Sequence, residues 1–211
     1  MLSRIKEILS CNVQHESVLD QLQLRSEIAQ KLQPIRLDVT ICDRPTHNQN
    51  GLTQYNYDEN HQSIRQRRVD TARKFDLTLS DAPFDNRFVF ELAARVRATH
   101  GQPGQCAEMA SLSAVEICEI APKYGFSTYT IQLPDYNHTI TLVSTNDYRS
   151  GDKVDWRNEF KLGSTVVDLW QGALEPENLD ALVSSAKKNF YTENSPRAIV
   201  QCKVTNEWVS W

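Results

Sequence analysis

Apolar residues recur at helical spacing near the start of this chain, at Leu2, Ile5, Ile8 and Leu9, and again at Leu19, Leu22, Ile28, Ala29 and Leu32. Both runs predict helices, and Pro34 is expected to stop the second. Ile35 to Ile41 alternates apolar with polar positions and predicts a short extended piece. Residues 42–63 then turn polar, through Arg44-Pro-Thr-His-Asn-Gln-Asn-Gly51 and Asn56-Tyr-Asp-Glu-Asn-His61. They offer no apolar face for a core, so a long loop is expected. Phe88, Leu92 and Val96 predict a helix over Phe84 to Thr99. The breakers Gly101-Gln-Pro-Gly104-Gln105 follow, and Cys106 to Ile120 is then apolar on nearly every side, the mark of a buried helix. Beyond Pro122 the period changes to two. Thr128 to Leu133, His138 to Ser144, Thr165 to Leu169 and Arg197 to Val204 read as strands, and Asp180 to Phe190 as a helix. Thr145 to Gly163 reads as a long polar insertion. The fold class is α+β: a helical first half, then a buried helix packed on an antiparallel sheet.

Length and charge narrow this picture. A chain of 211 residues suits a single domain, with residues 1–83 as a helical N-terminal extension and 84–211 as the core. No apolar run reaches the ~18 residues of a membrane span. The charged start, Met1-Leu-Ser-Arg-Ile-Lys-Glu-Ile-Leu9, lacks the pattern of a cleavable signal peptide. A net charge of −4 argues against a general nucleic-acid binder. The basic run of Arg65, Arg67, Arg68, Arg73 and Lys74 reads as a solvated helix face, although it could also meet an acidic partner or phosphates. The five cysteines are widely spaced without a Cys-x-x-Cys, which fits reduced thiols better than a disulfide framework.

Three positions carry candidate chemistry: Cys106 where a glycine-bounded turn enters the buried helix, His138 at the opening of a strand, and Asp168 in the apolar run Thr165-Val-Val-Asp168-Leu-Trp170. A cysteine in a first helical turn feels unpaired backbone N–H groups and the helix dipole, both of which favour a thiolate. The same N–H groups can receive an oxyanion. A histidine on a neighbouring strand can hold the thiolate and later protonate a leaving group. An aspartate in an apolar strand is costly unless paired, and orienting that histidine would pair it. Taken singly, each has a plainer reading as a small buried hydrophobe, a hydrogen-bonded histidine and a strand-end carboxylate. The order of elements favours the joint reading. If it holds, His138 and Asp168 lie within hydrogen-bond reach, and the Cys106 sulfur lies about 4 Å from the other ring nitrogen.

The run Gly104-Gln-Cys106-Ala-Glu108-Met-Ala110 resembles the Gly-x-Cys-x-Glu-x-Ala start of the catalytic helix in transglutaminase-like, papain-related cysteine enzymes, most of all their bacterial effector branch. His138-Thr-Ile-Thr-Leu142 and Val166-Val-Asp168-Leu-Trp170 resemble the strands that supply the other two members. The resemblance covers about Phe88 to Gly172. It implies a papain/transglutaminase-like fold, with Cys106 as nucleophile, His138 as acid and base and Asp168 as orienting carboxylate. It also implies acyl transfer from an amide of a protein substrate, by a protease, deamidase or transglutaminase, in the cytoplasm or inside a host cell. Three departures stand out: Leu169 where proline is usual, Asn137 before the histidine where an acidic residue is common, and the insertion 145–163. Arylamine N-acetyltransferases share a similar Cys-His-Asp order, so a small-molecule acyltransferase is the second reading. A non-catalytic interaction module that keeps the fold is the third. Gln102 or Gln105 could supply an oxyanion donor, although both also read as turn residues. Trp170 and Asn137 are candidate substrate contacts. No cofactor is expected, and a metal site from His100, Cys106 and His138 lacks any short ligand pair.

Overall fold

The computed structural model describes residues 18–35, 40–41, 54–98, 103–174, 179–190 and 195–206. The expected helix at Leu2 to Leu9 lies outside them. Helix α1 (residues 18–35) runs one residue past Pro34. Its Leu24, Ile28 and Leu32 recur every four residues and are fully buried. They share one apolar cluster with Met109, Leu112 and Ile117 of the buried helix α4 (Cys106–Ile117). Strand β1 (Thr40–Ile41) pairs in parallel with β2 (Pro103–Gly104), just upstream of Cys106.

The polar stretch 42–63 departs from expectation. Its first part lies outside the described residues, but residues 54–63 belong to helix α2 (Gln54–Lys74). Polar side chains do not forbid a helix when its few inward positions are satisfied. Here Ile64 and Ala72 are buried, and the Thr71 hydroxyl donates to the Arg67 carbonyl at 2.7 Å. Helix α3 (Asn86–Ala98) presents Phe88, Val89, Leu92, Ala93 and Val96 inward, as its fourfold spacing predicts.

Strands β3 (Ser127–Leu133), β4 (His138–Ser144), β5 (Thr165–Val167), β6 (Val183–Ser185) and β7 (Ile199–Val204) form one antiparallel sheet in the order β6-β5-β4-β3-β7. Leu133 pairs with His138 across the tight β3–β4 connection, which places His138 at the sheet end. One face carries Val143 and Val167 against α1 and α4. The other carries Tyr129, Ile131, Ile140, Leu142, Val166 and Val200, covered by Val154, Trp156 and Ala186. The insertion 145–163 is therefore only partly a polar excursion. It contains helix α5 (Trp156–Lys161), capped by the Asp155 carboxylate, and it roofs the second face of the sheet. Its buried Glu159 accepts from Ser164 (2.5 Å), Asn146 (2.5 Å) and Tyr148.

Two further expectations are corrected. Asp180 to Phe190 is not one helix but α7 (Leu179–Leu182), the edge strand β6 and α8 (Ala186–Phe190). Val183-Ser-Ser185 has weak helix propensity, and pairing with Thr165–Val167 overrides the helical period. Asp168 is not inside a strand. It follows β5 and caps helix α6 (Leu169–Leu174), its carboxylate accepting the Gln171 N–H at 3.0 Å. Gly172 lets α6 close on α7, since a Cβ there would lie 2.9 Å from the Leu182 Cα.

Candidate active site

Cys106 is the first residue of α4, entered from an extended Gln105 (φ −111°, ψ −175°). Gly104 keeps the approach narrow: a Cβ would meet the Met109 side chain at 2.4 Å. Glu108, fully buried in the first turn, accepts the Gln105 backbone N–H at 3.0 Å. Its other demand is met from α2, where Arg68 donates to both carboxylate oxygens at 2.6 and 2.7 Å. Burial opposes the Arg68 charge, but the hydrogen bond and attraction to Glu108 outweigh it, and the Cys106 sulfur adds to the pull. The first turn bearing the nucleophile candidate is thus fixed from outside its own helix.

His138 and Asp168 meet across the sheet end, with Nε2–H donating to Oδ2 at 2.7 Å. Both are mostly enclosed, with side-chain exposures of 17% and 10%. Burial by itself would lower the His138 pKa. Hydrogen bonds to Asp168 and to Cys106, with the negative charge of both, outweigh it and hold the ring protonated to about 9. The Cys106 sulfur also lies 4.0 Å from the Asn137 carbonyl oxygen. Asn137 itself sits in the left-handed region (φ 47°), which turns the chain sharply into β4. Trp170 tilts against His138, ring centroids 5.4 Å apart.

Cys106, His138, Asp168, Asn137 and Trp170 therefore converge. Gln105 is adjacent, but its amide nitrogen faces the His61 ring at 3.2 Å and its oxygen accepts from Arg68 at 3.3 Å. That arrangement anchors the turn to α2. Gln102, Cys11, Cys42 and His100 lie outside the described residues. Among the described residues no group of three or more His, Cys, Asp or Glu could hold a metal ion, and no helix is long and apolar enough to cross a membrane.

Sequence reasoning missed Arg68 and His61. The basic run reads as a solvated face, yet Arg67 is buried and Arg68 is paired. The signal was present in Glu108, a carboxylate in the first turn of a largely apolar helix, which requires a counter-charge once buried.

The thiols should differ in reactivity. Cys118 and Cys202 are buried, and desolvation pushes each up to about 12. Cys106 is half-exposed beside the His138 cation. Limiting iodoacetamide at about pH 6 should alkylate Cys106 ahead of both. Peptide mass spectrometry reads the order, and labelling led by Cys118 would exclude an activated Cys106.

The His138 pairing has its own signature. Its folded pKa lies above the ordinary 6.5, so the stabilisation it brings is complete below about 6.5 and lost as pH rises through about 9. The ring-proton NMR signal of His138 should titrate near 9, and well lower in Asp168→Asn. A wild-type midpoint near the ordinary value would mean that the pair is not formed.

No family model, curated protein or solved structure matches this chain.

Proposed function

We propose that this chain is a cysteine-dependent acyl-transfer enzyme of the transglutaminase-like, papain-related kind. The observation that carries the reading is the Cys106–His138–Asp168 series, with the thiol at the mouth of a buried helix and the cation beside it held by a carboxylate 2.7 Å away. In this reaction the Cys106 thiolate attacks the acyl carbon, and the first-turn N–H groups of α4 receive the oxygen. The C–N bond of the amide breaks, and the His138 proton leaves with the amine. Water or a second amine then attacks the thioester. His138 takes up its proton, and the acyl product departs as an acid or a new amide.

The five-stranded antiparallel sheet with α4 across one face is compatible with a papain/transglutaminase-like core. Leu169 in place of the family's proline leaves the Asp168 turn intact. The position is N1 of α6, where proline is favoured, because no N–H is needed and its φ is already helical, but is not required, and Leu169 fills it with a fully buried side chain.

The substrate of the first reading is a protein amide, attacked in the cytoplasm or after translocation into a host cell. One observation favours the second reading, a small-molecule acyltransferase: a cavity of about 640 Å³ lined by Gln105 and Ala107, the chain neighbours of Cys106, and well inside the range of small-ligand sites. The test incubates wild type and Cys106→Ala with casein and a labelled primary amine, and in parallel with p-nitrophenyl esters. Amine incorporation by wild type alone identifies transamidation, and protein fragments identify proteolysis. Ester turnover without either identifies the small-molecule enzyme. Equal activity in Cys106→Ala would remove the proposal.

A further inference from the structure

The cavity of about 640 Å³ lies between α2, α3, α4 and the sheet. Its placement is specific. Gln105 and Ala107, the chain neighbours of Cys106, line it, and so does Thr139, the neighbour of His138. Its lining mixes apolar residues, Ile64, Leu79, Phe88 and Leu92 prominent among them, with polar ones such as Gln62, Ser111 and Gln201. Two of the polar lining residues stand at opposite depths. Thr130, 2% exposed in the middle of the sheet, forms part of the lining, and its hydroxyl has no hydrogen-bond partner among the described residues. A hydroxyl so buried is costly unless something satisfies it. At the exposed side stands Arg65, which makes no salt bridge among the described residues. Arg68, the other cation of the lining, is occupied by Glu108.

We propose that this cavity is the acyl-substrate pocket, and that it takes a small amphipathic anion. The apolar body lies between Ile64, Phe88 and Leu92, a hydrogen-bonding group reaches Thr130, and the negative group lies at Arg65. The volume is far beyond what a single amide side chain fills, and Arg65, which makes no salt bridge among the described residues, selects an anion over a cation or a neutral chain. This assignment rests on the acyl-transfer reading only in linking the pocket to Cys106.

Anilinonaphthalene sulfonate, an aromatic body with one sulfonate, is a suitable probe. It should bind one-to-one and saturably to wild type and equally to Cys106→Ala, so the binding measurement does not depend on any chemistry. Arg65→Gln should weaken it about tenfold by losing a charge-assisted contact. Thr130→Val should weaken it several-fold while leaving the fold intact, because it removes an unpaired hydroxyl. Ala107→Trp, a half-exposed first-turn position, fills the cavity and should abolish binding. The bound dye should also slow iodoacetamide alkylation of Cys106 in wild type. Absence of saturable binding, or binding indifferent to Arg65→Gln and Ala107→Trp, overturns the pocket. Binding without protection of Cys106 overturns its role as the substrate site. If the dye binds and protects while no ester or amide is turned over, the acyl-transfer reading has failed and the pocket stands.

Discussion

Asp168→Asn should fold as the wild type does and turn over its substrate about 10²–10⁴ times more slowly. The two halves of this expectation have separate causes. Asp168 caps α6 through the Gln171 N–H at 3.0 Å, and asparagine caps as well as aspartate does. The asparagine amide carries no charge, so the His138 cation loses the partner that sits 2.7 Å away. Asp168→Ala would remove cap and charge together and cost about 1 kcal/mol of stability besides. Thermal melts and kcat on the substrate found active, measured for both variants and for Cys106→Ala, separate the effects. Asp168→Asn retaining wild-type kcat would mean that Asp168 is a cap and nothing more.

The largest stability effect is expected at Arg68→Met. Glu108 has no exposure to solvent, and Arg68 is the cation that bonds both of its oxygens. Removing one partner of such a pair leaves a buried charge and typically costs about 3–5 kcal/mol, or roughly 10 °C in Tm for a chain of this size. Arg67, which also feels the Glu108 charge, puts the expected loss at the lower end of that range. The double variant Arg68→Met/Glu108→Gln should recover much of the loss, because the orphaned charge is gone while the Gln105 N–H keeps an acceptor. A single-variant loss below about 1 kcal/mol would mean that the carboxylate finds water or another cation.

Four of the five strands and α4 were legible from the pattern of residue types. β3, β4 and β7 alternate apolar with polar residues although both faces of the sheet are covered, and α4 lacks a polar face. The first half of helix α2 was not legible as helix, since few of its positions face inward and a distant carboxylate helps to hold the helix. The 145–163 segment misled for a related reason. Its few buried anchors, Val154, Trp156 and Glu159, are diluted by charged neighbours. Within the candidate site, Cys106, His138 and Asp168 were readable by residue type and order. Arg68 and the cavity were not, because they arise from elements that meet only in space. Asp168 looked like a strand residue because a cap and a strand end share the same apolar approach.

The first turn of α4 is held by groups far along the chain. Thr40 pairs with Pro103, Arg68 reaches Glu108 across 40 residues, and His138 finds Asp168 across 30. Order of synthesis then becomes a safeguard. A nascent chain that has just exposed Cys106 lacks both the histidine and the carboxylate, so its thiol is an ordinary one. Contacts of long sequence separation form late, after the loop-closure entropy has been met. The cysteine should therefore become reactive only when the sheet is complete. Trapping by iodoacetamide during refolding would follow the closure of β4 on β5 and not the formation of the helix that carries the sulfur.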